Sequence, residues 1–232
     1  MPFFQAKLPE NHQNSFGKQT YTVYITQYNN RKNNFNEVKT IMITSVLLSG
    51  VGGQGILLAE KIIATAAELA GNEVCANEIH GMAQRGGSVV AQIRFGAGVY
   101  SPLILEGSAD AVLALEMAEA VRCAHYLKPE GFAAVAKQKV IPVTVTTGAA
   151  SYPEDVEDRL SRVYPRMKLA DCVPMALEMG DVRLANTIMV GVLSNEFDAL
   201  IPVKVWHDAI AKSVKPQFLE NNIKAFELGR SL

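Results

Sequence analysis

The 232 residues carry a formal net charge of −1, with 49% apolar and 19% charged side chains. That balance fits one substantial folded domain and excludes bulk electrostatic attraction to DNA or RNA. A single Trp and few other aromatics also exclude a base-stacking platform.

Residues 1–41 are rich in Asn and Gln, with Asn29, Asn30, Asn33, Asn34 and Asn36 clustered. They offer little apolar periodicity and are expected to be an extension, or upstream sequence read through from an earlier start codon, that cannot bury enough apolar surface to offset its ordering entropy; an ordered extra hairpin is the alternative. Within them Thr20–Thr26 alternates and is β-branched, an isolated strand with no obvious partner. Met42, directly before Ile43-Thr44-Ser45-Val46-Leu47-Leu48, is the expected start of a second unit spanning 42–232.

From Met42 the chain alternates strand and helix. The apolar run Ile41–Leu48 leads into Gly50-Val51-Gly52-Gly53-Gln54-Gly55, and helical spacing of Ile56, Ala59, Ile62, Ile63, Ala66 and Leu69 leads out, with Gly71 as its stop. Glu73–Ala76 reads as a short strand and Asn77–Gly87 as a loop. Ser88–Phe95 reads as a third strand and Ala109–Leu115 as a fourth, followed by a helix over Glu116–Tyr126. Pro129-Glu130-Gly131 marks a turn before a strand over Phe132–Ala136. A helix starts at Tyr152-Pro153-Glu154-Asp155, and Met167–Ala170 is a short strand. Three helices, over Val182–Glu196, over Val203–Ser213 and from Pro216, close the chain. The pattern predicts an α/β fold: a Rossmann-like, mostly parallel sheet with helices on both faces and C-terminal helices closing the domain.

Ligands in such sheets bind beyond the carboxyl ends of the strands. Gly50–Gly55 falls there and fits G-x-G-x-x-G, a turn whose amides and helix dipole suit phosphate. The loop His80-Gly81-Met82-Ala83-Gln84-Arg85-Gly86-Gly87 falls there too. Arg85 beside Gly86 and Gly87 lets a guanidinium and bare amides meet one anion, and Gln84 can add a neutral donor. A nicotinamide-binding unit needs an acid at the end of its second strand; Glu78 is the available one and fits poorly.

No catalytic constellation stands out. Glu116 follows an apolar strand at the mouth, where its simplest role is a carboxylate in the first turn of the next helix. His12, His80, His125 and His207 do not pair at ligand spacing. Cys75, Cys123 and Cys172 form no C-x-x-C pair, so buried reduced thiols in a cytoplasmic setting are expected, and no zinc or iron–sulfur pattern is present. No apolar run reaches the roughly 18 residues of a membrane helix, and the N-terminus lacks the order of a secretory signal. The residues alone therefore describe a phosphate- or nucleotide-binding domain without visible catalytic apparatus.

Several segments together resemble the gamma domain of 2-oxoacid:ferredoxin oxidoreductases. They are Gly50–Gly55, Met82–Val90, Arg94-Phe95-Gly96, Tyr100–Ile104, Tyr126–Gly131, Ala185–Gly191 and Phe218–Glu227. The Gln84-Arg85-Gly86-Gly87 version is most similar to the small subunits of the indolepyruvate type. The resemblance covers nearly all of 42–232. It implies oxidative decarboxylation of a 2-oxoacid, an aryl pyruvate in this type, to an acyl-CoA and CO2 with reduction of ferredoxin. It implies thiamine diphosphate, Mg2+ and [4Fe-4S] clusters on a large alpha subunit. It also implies that Gly50, Val51, Gly52, Gly53, Gln54 and Gly55 cradle phosphates of coenzyme A, that Arg85 pairs with one, and that Gln84, Gly86 and Gly87 line the same pocket. No catalytic residue and no metal ligand is assigned to this chain, and no nucleic-acid or membrane partner. The rivals are a stand-alone nucleotide-dependent oxidoreductase and a non-enzymatic binding protein of the same fold.

Overall fold

The computed structural model describes residues 10–13, 19–23, 39–80, 87–141 and 151–232. Near the N-terminus β1 (Glu10–Gln13), β2 (Gln19–Val23) and β3 (Lys39–Ile41) form a three-stranded antiparallel sheet. The strand around Tyr21 thus pairs on both sides, with Asn11 and Ile41, which accords with the alternative of an ordered hairpin rather than with an isolated strand.

The main sheet has the order β5-β6-β4-β7-β8-β9. Its strands are β4 (Ile43–Val51), β5 (Glu73–His80), β6 (Ser88–Gly96), β7 (Ala109–Ala114), β8 (Leu127–Ala136) and β9 (Met167–Ala170). The pairs β4–β7, β7–β8 and β8–β9 are parallel, and only β6 runs against the rest. The expected mostly parallel sheet is present, with one antiparallel strand inserted between β4 and β5.

Side chains on a strand alternate between faces, and the sheet uses both. Val46, Leu48, Ala111, Leu113, Ala134 and Ala136 belong to one core; Leu47, Val112, Ala114, Ala133 and Val135 belong to the other. This explains why these strands read as continuous apolar runs. Helices α1 (Ile56–Leu69), α4 (Cys172–Glu178), α5 (Ala185–Ser194), α6 (Val203–Ser213) and α7 (Leu219–Arg230) cover the first face. Helices α2 (Met117–Cys123) and α3 (Val156–Val163) cover the second.

Several boundaries differ from the sequence reading. Strand β5 runs on to His80, because Asn77–His80 continue to pair with Val89–Gln92. The turn expected at Pro129–Gly131 lies inside β8 as an irregularity: Leu127 pairs with Ala109, and the ladder resumes only at Phe132 opposite Ala111. A bulge absorbs a proline that a regular ladder could not. Helix α3 begins at Val156, later than Tyr152, with Glu157 and Asp158 in its first turn. Helix α4 was not foreseen; its seven residues are too few for a helical period to show, and Pro174 sits in its first turn, where proline is tolerated.

Helix α5 is the centre of the helical face. Every residue from Asn186 to Ser194 is buried. It meets α7 through two glycines: a Cβ on Gly191 would collide with the Phe226 carbonyl oxygen, and one on Gly229 with that of Ile188. The backbones touch because neither helix has a side chain there.

On the other flank, α1 brings Glu60 over β5. Burial, and then the neighbouring Glu78 carboxylate, raise the Glu60 carboxyl above its usual range. A raised acid favours the neutral form in the folded state. Its contribution is therefore present at low pH and is lost as pH rises through the raised value. Glu60→Gln should accordingly increase the melting temperature at about pH 7 and change it little below about pH 4, where the parent side chain is already neutral. Equal changes at both pH values in thermal scans would remove ionisation as the cause.

Candidate functional site

Strands β4 and β7 are parallel neighbours, but their chains leave the sheet on opposite faces. Strand β4 feeds α1 on one side, and β7 feeds α2 on the other. The carboxyl ends of such a pair form the crevice where open α/β sheets bind ligands. Gly50–Gly55 forms one lip and Leu115–Met117 the other.

Gln54 spans that crevice. Its Oε1 accepts the Val51 N–H at 2.7 Å; its Nε2 donates to the Leu115 carbonyl at 2.7 Å and to Gln138 Oε1 at 2.8 Å. One amide thus joins the ends of β4, β7 and β8. Gly50 makes room for it, since a Cβ there would come within 2.8 Å of Gln54 Oε1 and 3.2 Å of Leu115 Cβ. The backbone adds a bond from Leu115 N–H to the Ser49 carbonyl at 2.8 Å.

The remaining glycines shape the turn. Gly53 (φ 106) and Gly55 (φ 83) lie in the left-handed region that other residues avoid. Gly55 is the N-cap of α1, and its carbonyl accepts from Asn186 Nδ2 at 3.1 Å; a Cβ on Gly55 would collide with that same amide. Asn186 is buried at the start of α5. The Thr187 hydroxyl lies between Asn186 Oδ1 at 3.1 Å and Asn222 Oδ1 at 2.8 Å, which ties the turn to α7.

Donors in this turn divide into two sets. Val51 N–H is taken by Gln54, Gly52 N–H by the Gly87 carbonyl at 2.9 Å, and Gln54 N–H by the Val51 carbonyl at 3.1 Å. The amides of Gly53, Gly55, Ile56 and Leu57 have no acceptor among the described residues. These four sit at the positive end of the 14-residue α1, which makes the turn competent to hold an anion.

The described flanks of the second predicted loop reach the same place: Ser88 lies opposite Val51, and His80 opposite Val89. The Gly52–Gly87 bond joins the two directly. Ser88 Oγ donates to Glu119 Oε2 at 2.7 Å, which fixes the loop's exit to α2. Gln84, Arg85 and Gly86 lie outside the described residues.

Two other candidates acquire definite positions. Glu116 is the N-cap of α2, accepting from Glu119 N–H at 2.9 Å, Val140 N–H at 3.3 Å and the Tyr152 hydroxyl at 2.6 Å. Its oxygens are occupied by structural donors, and Tyr152 is in turn held protonated by burial and by this carboxylate. Glu78 is level with Ala91 and Leu48, three residues below the end of β4, and β6 separates its strand from β4. Two strand spacings, about 9–10 Å, keep it from the ribose position of a dinucleotide fold, in which the acidic strand adjoins the first. With Gln54 also filling the switch point, the geometry disfavours a nicotinamide dinucleotide.

Sequence reading missed Gln138 and the structural roles of Asn186 and Asn222. Their partners are 84, 131 and 35 residues away; no local pattern signals such pairs. The cysteines offer no ligand set: Cys123 and Cys172 are buried, and burial pushes the Cys172 thiol up to about 12 and raises that of Cys123. Among the described residues no group of three His, Cys, Asp or Glu side chains could hold a metal ion, and no helix is long and apolar enough to cross a membrane.

Against known proteins, residues 45–232 match the model of the pyruvate ferredoxin/flavodoxin oxidoreductase family. The indolepyruvate oxidoreductase subunit IorB of Archaeoglobus fulgidus is 39% identical over 190 residues, covering 81% of this chain and 94% of that protein. The fold is similar to that of pyruvate oxidoreductase subunit PORC from Thermotoga maritima, with a TM-score of 0.61, 21% identity, and coverage of 82% and 96% of the two chains. It is also similar to part of a 2-oxoglutarate:ferredoxin oxidoreductase from Magnetococcus marinus solved with 2-oxoglutarate, coenzyme A and succinyl-CoA bound. There the TM-score is 0.60, the identity 20%, and the coverage 82% of this chain and 30% of that one.

The brace makes a separate prediction. Gln54→Ala removes three partly buried hydrogen bonds at the ends of three strands, so it should cost about 2–4 kcal/mol of stability in denaturant titrations. A loss below about 0.5 kcal/mol, the range of ordinary surface substitutions, would show that the crevice does not depend on this amide.

Proposed function

The chain belongs to the pyruvate ferredoxin/flavodoxin oxidoreductase family, and from that membership we propose that it is the small subunit of an indolepyruvate-type 2-oxoacid ferredoxin oxidoreductase. The complex converts an aryl 2-oxoacid and coenzyme A to an acyl-CoA and CO2, and passes two electrons to ferredoxin. The identity to IorB over most of both chains carries the assignment to this type.

Within the complex this chain is an oxidoreductase subunit that binds and positions. The unpaired amides at Gly53, Gly55, Ile56 and Leu57 offer donors to the coenzyme A diphosphate, and the α1 dipole adds favourable potential. Arg85 is assigned a charge-assisted contact to a phosphate, with Gln84, Gly86 and Gly87 lining the same pocket. Gly50, Val51, Gly52 and Gln54 set the shape of the turn. Thiamine diphosphate with Mg2+ and the [4Fe-4S] clusters are assigned to a large partner subunit on the family resemblance, and the buried Cys123 and Cys172, both raised by burial, are read as packing residues. Thiamine supplies the carbanion chemistry, and the clusters supply the electron path. The work of this chain is to hold coenzyme A so that its thiol reaches a centre built by the partner. A cytoplasmic location follows from that assembly with ferredoxin.

Reconstitution tests the reading. The purified chain alone should be colourless and inactive, and adding the large subunit should restore oxoacid- and CoA-dependent dye reduction. A large subunit that turns over fully with CoA in the absence of this chain would overturn it. In the restored complex, Arg85→Ala should raise the KM for CoA about tenfold to a hundredfold, corresponding to about 1.5–3 kcal/mol for a lost charged hydrogen bond, with little change in the KM for the oxoacid.

A further inference from the structure

The second face of the sheet is covered unevenly. Helix α2 packs over β4, β7 and β8, with α3 against it. Over β5 and β6 the cover is a strap, residues 97–108, that joins β6 to β7. The strap is pinned along its length. Glu73 Oε2 accepts the Gly98 and Val99 N–H groups at 2.7 and 3.2 Å, and Arg94 donates to the Ser101 carbonyl at 3.1 Å. Gln92, itself buried, accepts the Ile104 N–H through Oε1 at 2.9 Å. These three side chains share one face, because the register sets Gln92 level with Asn77 and Arg94 level with Cys75. Val99 and Ile104 are buried beneath the strap.

Its outward side chains are apolar. Tyr100 is 92% exposed, Leu105 75% and Leu103 58%. Ile79, half exposed, stands on the same face of β5, level with Val90 and Ser49 towards the end of the sheet that carries Gly50–Gly55. Strand β5 is also an edge of this sheet, eight residues long and without proline, and such edges are normally covered. Together these side chains expose a few hundred Å² of apolar surface, a large share of the roughly 800 Å² that each partner contributes to a stable interface. The pinned backbone leaves little ordering cost for binding to meet. At the margins Glu73 and Glu106 are exposed, whereas Arg94 is turned inward onto a strap carbonyl. An apolar centre with a polar rim is the anatomy of a protein interface, and an exposed tyrosine is a frequent anchor in one.

We propose that the strap and β5 form the seat of the large partner subunit, with Tyr100 and Leu105 entering an apolar hollow of that subunit and Glu73 and Glu106 facing lysine or arginine at its rim. The assignment rests on the reading of this chain as the small subunit of a two-subunit enzyme. A second copy of the chain fits the patch less well. A two-fold axis through the strap would set Tyr100 against its own copy, knob against knob. The cavity lined by Leu58, Leu184 and Phe218 belongs to the helices of the other face, so contact with it would chain copies head to tail rather than pair them. The seat also ends at Ile79, near the phosphate turn, so a partner held on the strap has its surface beside the site.

The test titrates the full chain against the large subunit and follows oxoacid- and CoA-dependent dye reduction in the same mixtures. Tyr100→Ala and Leu105→Ser, both at exposed side chains, should leave the melting temperature of the free chain unchanged and each raise the Kd at least about tenfold. At saturating variant, kcat and the KM for CoA should match the parent, because the turn is untouched. Leu177→Ser, at an exposed leucine of α4 on the other face, should leave the Kd within about twofold. Strap variants that bind as the parent does, or an equal loss with Leu177→Ser, would overturn the assignment. So would a free parent chain that sediments as a dimer and becomes monomeric with Tyr100→Ala. A parent chain that does not bind the large subunit at all would instead overturn the small-subunit reading.

Discussion

The site depends on one side-chain amide. Gln54 joins Val51, Leu115 and Gln138 across the ends of three parallel strands. Parallel strands diverge at their carboxyl ends because their chains depart to opposite faces, and the gap they leave is the usual place for a ligand. Here the gap is closed from within. On the proposed reading, the ligand then lies outward, on the amides of the turn and the first residues of α1. The same bond set explains Gly50, which is glycine to admit the brace rather than to admit a phosphate. A G-x-G-x-x-G turn can thus be built with its first glycine serving packing and its last, Gly55, serving backbone conformation, helped by Gly53 at a variable position.

The helical face holds that turn from the other side. Asn186 reaches the Gly55 carbonyl from a helix buried on all sides, and α5 is buried because α7 packs backbone to backbone against it at Gly191 and Gly229. The path from the C-terminal helix to the turn runs through Asn222, Thr187 and Asn186 with every contact at hydrogen-bonding distance. Polar groups are expensive to bury unless satisfied, and satisfied ones define a single geometry. The C-terminal helices are therefore part of what keeps four amides aligned without acceptors among the described residues, and not only a cover for the sheet.

Much of the architecture was legible, for physical reasons that also mark where legibility stops. Strands β4, β7 and β8 carry apolar residues at both parities because both faces are covered, and that burial signal is strong in a short window. The amphipathic repeat of α1 and the Gly71 stop are equally local. The full length of β5 was not legible: Asn77–His80 look like a loop by composition and become strand only through pairing with β6. Helix α4 is too short to show a period, and the bulge in β8 hides a proline that normally ends strands. At the site, glycines and Gln54 were visible as a motif, but the partner of Gln54 at Gln138 was not. Motifs report backbone needs within a few residues, whereas braces are made between elements whose approach only the fold decides.

That distinction bears on how far the motif could have carried function. G-x-G-x-x-G admits dinucleotides and coenzyme A alike, because both present a diphosphate to a helix N-terminus. What separates them lies outside the motif. A dinucleotide needs an acid on the strand beside the first, and the insertion of antiparallel β6 moves Glu78 one strand too far and three residues too low. It needs an open switch point, and Gln54 fills it.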